Sequence, residues 1–155
     1  MTKEKKQEFT LRISQANRSQ LVVIIYEIIH AYMDEAVECN GNGDWNGFRE
    51  SVRKAQSFIN ELMEALDFKY PISVELMRLY LYMNRTLIRA VTKKDPEELK
   101  GAFIVLEKLK TGFQGITAQD SSAPVMKNTQ QVYAGLTYGR QSLNETCQYS
   151  GTRYC

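Results

Sequence analysis

The side chains able to do chemistry are few in this chain, and their spacing is wrong for it. His30 is the only histidine, which removes multi-histidine metal sites and leaves histidine catalysis without the groups that orient and tune it. It reads as a partly exposed helix residue, and the Glu-x-x-His that a di-iron bundle needs on each of two helices is excluded. Cys39, Cys147 and Cys155 are an odd number with no Cys-x-x-Cys spacing, so neither a disulfide framework nor a zinc site is signalled. Asp34 with Glu38 and Glu61 with Glu64 pair carboxylates on otherwise wet helix faces, where nothing raises a carboxyl into acid–base duty. Gly41 to Gly43 lacks the lysine and the preceding strand of a phosphate loop. The sequence predicts no catalytic residue, no metal site and no cofactor; it predicts a protein that is not an enzyme.

Composition points the same way. A chain of 155 residues with 43% hydrophobic and 25% charged residues and a formal charge of +2 describes one globular domain that needs no staple. Acids and bases interleave, so there is no nucleic-acid footprint. The longest apolar run near the N-terminus, Leu21 to Ile25, is far short of a membrane span or a secretory core, which predicts a cytoplasmic protein without membrane insertion.

The elements that remain are helices. Residues 1–16 are polar apart from Phe9, Leu11 and Ile13, whose alternation suggests a short extended N-terminal arm. Asn17 and Gln20 have the spacing of a capping box and should start the first helix, which Gly41 to Gly43 end. That helix carries two adjoining apolar faces, one with Leu21, Ile25, Ile28, Ile29, Tyr32 and Ala36, the other with Val22, Tyr26, Met33 and Val37. Asp44 caps a second helix with Phe48, Val52, Ala55, Ile59, Leu62, Met63 and Leu66 at spacings of three and four. Ser73 is the expected cap of the third. Asp95, Pro96 and Glu98 supply a cap, a first-turn proline and a returning carboxylate for the fourth. Short connections force the helices to alternate in direction, giving an all-α, antiparallel up-down-up-down four-helix bundle over residues 17–119. Residues 120–155 read as a C-terminal extension, flexible or loosely docked.

The third helix, VELMRLYLYMNRTLIRAV from Val74 to Val91, has more apolar surface than one seam requires. Leu76, Leu79, Tyr80, Met83, Leu87 and Ala90 cluster on one side; Met77, Leu81, Asn84 and Ile88 form a second line; Arg78, Arg85, Thr86 and Arg89 make the wet edge. A diagonal neighbour in the bundle accounts for the second line as readily as a partner does. Asn84 favours a partner, because an amide inside an apolar line needs a hydrogen bond that an incoming backbone would supply. The line Met77, Leu81, Asn84 and Ile88, with Val22, Tyr26 and Met33 as second-rank members, is therefore the candidate groove for an amphipathic segment. A bundle that dimerises through the same stripe, an adaptor forming a weak homodimer, is the alternative reading.

Three stretches, ANRSQLVVIIYEIIHAYMDEA (Ala16 to Ala36), KAQSFINELMEALD (Lys54 to Asp67) and LYLYMNRTLIRA (Leu79 to Ala90), resemble in order and spacing the bacterial flagellar export chaperones that bind flagellin. The resemblance covers roughly residues 10–118, and Tyr82 to Arg85 is its most specific element in company with the other two. Phe113 stands where members often carry tryptophan, and Asn17-Arg18-Ser19-Gln20 where many have Ser-Pro-Glu-Glu. The arm has Phe9 in place of a tyrosine, and the chain from Pro124 onward extends past the usual bundle.

The resemblance implies a cytoplasmic helical bundle that holds the disordered C-terminal segment of flagellin, prevents its polymerisation and passes it to the flagellar export gate. Covering an amphipathic segment with the chaperone's own apolar groove blocks self-assembly by competing for the same surface. Val132 to Glu145 of the extension is amphiphilic enough to dock in that groove when it is empty; a plain linker is the other reading.

Overall fold

The computed structural model describes residues 1–126. The extension beyond, including Val132 to Glu145, lies outside the described residues. Five helices follow in order: α1 (Lys3–Gln15), α2 (Arg18–Gly41), α3 (Trp45–Glu64), α4 (Ile72–Lys93) and, after a 3₁₀ turn at Pro96–Glu98, α5 (Leu99–Thr117). Helices α2 to α5 alternate in direction, α3 packing between α2 and α4 and α5 closing the ring on the far side. This is the expected antiparallel bundle, with α1 laid against α2 as the arm. No helix among the described residues is long and apolar enough to cross a membrane.

The arm is helical, not extended. Lys3–Gln15 is rich in residues with good helix propensity, and Thr2 accepts from the Lys5 amide at its start. Phe9 and Ile13, four residues apart, share the face turned to α2, and Arg12 reaches Glu27 of α2 at 2.5 Å. The alternation was a helical i, i+4 pair with Leu11 interposed.

Two of the expected caps form as read. Asn17 accepts from the Gln20 amide at 2.9 Å while the Gln20 side chain accepts from the Asn17 amide at 3.0 Å, and Asp44 accepts from the Gly47 amide at 2.9 Å. Two others differ. Helix α4 begins after Pro71 with no side-chain cap, and the Ser73 hydroxyl donates instead to the Asp67 carbonyl at 2.6 Å. Asp95 caps only the 3₁₀ turn, accepting from the Glu97 amide, while the Glu98 carboxylate turns back to Lys93 at 2.6 Å and Arg89 at 3.3 Å. Basic side chains ending α4 compete for that carboxylate more strongly than a neutral amide does.

Helix α2 is the hub, flanked by α1, α3 and α5, and this explains its two apolar faces: Ile28, Ile29, Tyr32 and Ala36 and also Tyr26 and Met33 are buried. On α4, Leu76, Tyr80, Met83, Leu87 and Ala90 enter the core as expected, but Leu79 stays exposed. Thr86, expected at the wet edge, is buried, its hydroxyl satisfied by the Met83 carbonyl at 2.7 Å. It shares the α5-facing flank with Tyr82, whose hydroxyl end lies over Gly101 and so fills the space where a side chain at 101 would stand.

Candidate functional site

The titratable groups that chemistry would call on first, His30 and the paired tyrosines, have structural occupations. His30 links α2 to α5, with Nδ1 2.9 Å from Asp34, Nε2 3.1 Å from Glu107 and its ring edge-on to Phe103. Glu107 also holds Lys110 at 2.7 Å, and this hydrogen bond holds its carboxyl below the usual range. Burial pushes the Tyr26 and Tyr80 phenols up, so both remain neutral and share one hydrogen bond in which one hydroxyl donates and the other accepts. Among the described residues no three His, Cys, Asp or Glu side chains gather as metal ligands.

What remains unaccounted for is an apolar surface on α4. Its inner line is core, yet Val74, Leu81 and Ile88, each seven residues from the next, are 43%, 40% and 54% exposed, with Met77 and Asn84 half-buried beside them. Seven-residue spacing keeps side chains on one stripe of a helix, the arrangement of a coiled-coil seam awaiting its partner. Asn84 fixes which way the stripe faces: its Nδ2 donates to Asn60 Oδ1 of α3 at 2.8 Å, so the stripe borders the α3–α4 furrow. The Asn84 Oδ1 is shielded from solvent and has no partner among the described residues. A buried acceptor left unpaired costs about 1–3 kcal/mol, a penalty that a donor arriving with a partner would remove.

The structure therefore brings Met77, Leu81, Asn84 and Ile88 together on one edge. Val22 sits apart, half-buried against the core in the second turn of α2. Tyr26 and Met33 have no exposed surface, so neither can touch a partner in this conformation. Sequence reasoning missed Val74 and Asn60. The seven-residue spacing of Val74, Leu81 and Ile88 was visible in the sequence, whereas the role of Asn60 depends on which helix packs beside α4.

Comparison with known families matches residues 1–120 to a family model described as "Flagellar protein FliS". No individual curated protein matched in a parallel search. The match spans well over half the chain, and the protein belongs to the FliS family. It is a flagellin export chaperone that binds the flagellin C-terminus, and not an enzyme.

Proposed function

We propose that this FliS-family chaperone seats part of the flagellin C-terminal segment in the α3–α4 furrow, along Met77, Leu81, Asn84 and Ile88, and carries it in the cytoplasm to the flagellar export gate. One observation carries the reading: among the described residues α4 buries one apolar line in the core and leaves a second, heptad-spaced one exposed beside a shielded amide oxygen that has no donor. An amphipathic helix laid in the furrow would cover the first and supply the second. Val22 is a secondary contact; Tyr26 and Met33 contribute as the floor of the bundle, not its surface.

The magnitudes set how far the contact must extend. Covering the exposed parts of Val74, Leu81 and Ile88 contributes about 1 kcal/mol each. Micromolar affinity needs about 8 kcal/mol, after ordering a disordered segment has cost about 2–5 kcal/mol. The furrow alone is too small, so the segment runs on over further apolar side chains, and the exposed Ile72, Leu79 and Tyr82 on the other flank of α4 are the nearest. Methyl NMR of the full chain tests the placement. On adding a flagellin C-terminal peptide, the Leu81 and Ile88 methyls should shift while that of Ile104, exposed on α5, stays; shifts confined to Ile104 would move the site.

A further inference from the structure

The furrow is not electrically neutral. Helix α4 has one acid, Glu75, against Arg78, Arg85, Arg89 and Lys93. Arg78 is matched by Glu75 at 2.9 Å, and Arg89 and Lys93 by Glu98 at 3.3 and 2.6 Å. Arg85 is exposed, makes no ion pair among the described residues, and stands between Leu81 and Ile88 on the rim of the stripe. Across the furrow, Arg53 lies two turns before Asn60 on α3, also exposed and without an ion pair among the described residues. Because α3 and α4 run antiparallel and meet at Asn60 and Asn84, Arg53 continues alongside the Ile88 end of the stripe. The acids beyond Asn60, Glu64 on the last turn of α3 and Asp67 in the connection to α4, fall toward the opposite end. Among the described residues, cations without an acid partner thus bracket the Ile88 half of an apolar furrow.

We infer that the occupant of this furrow is an amphipathic helix bearing carboxylates along the edge that passes Ile88; the inference rests on the reading of the furrow as the client site. A second copy paired about a two-fold axis beside Ile88 would set these arginines against their own copies, whereas an axis at the middle of the stripe would turn them toward the Glu64 end of the partner, so the test includes the oligomeric state. Acids opposite the two arginines speed association and fix the direction in which the helix lies.

The test uses the full chain and a synthetic flagellin C-terminal peptide, with affinity measured by calorimetry at low and high salt. Both arginines are exposed, so the Arg53→Glu/Arg85→Glu variant keeps its fold, as circular dichroism would verify. Reversing two rim charges should weaken binding about tenfold, the defect should shrink at high salt, and a peptide with its acids changed to lysine should recover affinity for the variant. Equal affinity of wild type and variant at both salts would overturn the charge selection and leave the client site standing. Absence of any binding to wild type would remove both. A wild type that sediments as a dimer, dissociated by Leu81→Asp, would assign the furrow to a second copy and overturn the inference.

Discussion

The hydroxyls of Tyr26 and Tyr80 meet at 2.6 Å inside the bundle, joining α2 to α4 across its diagonal, with Phe113 edge-on to the Tyr26 ring. Both side chains are buried and each is the other's partner. Tyr80→Phe strands the Tyr26 hydroxyl and should cost about 1–3 kcal/mol, whereas Tyr26→Phe/Tyr80→Phe should cost less than the sum of the single changes. Denaturant unfolding of the four proteins measures this; strict additivity would mean that the pair is not coupled.

Adjacent residues on α4 should respond in opposite ways. Leu87 is fully buried and Leu87→Ala should cost about 2–5 kcal/mol, while Ile88→Ala, one position on and 54% exposed, should stay within about 0.5 kcal/mol. Thermal unfolding of both separates them, and a comparable loss for Ile88→Ala would place that side chain in the core.

The bundle was legible because its signals are local: the Asn17–Gln20 box, the Asp44 cap and the three-and-four spacing of α3 each act within a turn or two. What failed depends on neighbours. Two wide apolar arcs, on α2 and α4, look alike in sequence, but α2 is wrapped on three sides and α4 on two, so Tyr26 and Met33 are core while Leu81 and Ile88 are surface. Thr86 reads as polar, yet it is buried because its hydroxyl returns to its own helix. Ser73 and Glu98 found partners that no cap rule foresees, in a loop carbonyl and in the cations of the preceding helix.

After α5 the chain turns back to the α1–α2 junction. Asn17 Nδ2 donates to the Asp120 carbonyl at 3.1 Å, Ser19 donates to the Asp120 carboxylate at 2.5 Å, and the Val125 amide donates to the Ala16 carbonyl at 3.0 Å. Hydrogen bonds from Ser122 and Ser19 hold the Asp120 carboxyl at about 2, below its ordinary 3.8. A depressed carboxyl stabilises the folded arrangement above its unfolded value and loses that contribution as pH falls through the folded one. The latch should therefore hold at pH 4 and above and loosen between about pH 4 and 2. Carboxyl NMR titration of Asp120 checks this: a midpoint in the usual carboxylate range would mean that the latch does not form in solution.

The proposed site puts the client on the second apolar line of α4. Calorimetric titration of the full chain with the flagellin C-terminal peptide tests it most directly, comparing wild type with Leu81→Asp and Ile88→Asp, both surface changes that leave the fold intact. Wild type should show saturable one-to-one binding with a negative heat-capacity change, and each variant should lose it. Well-folded variants that bind as tightly as wild type would contradict that placement.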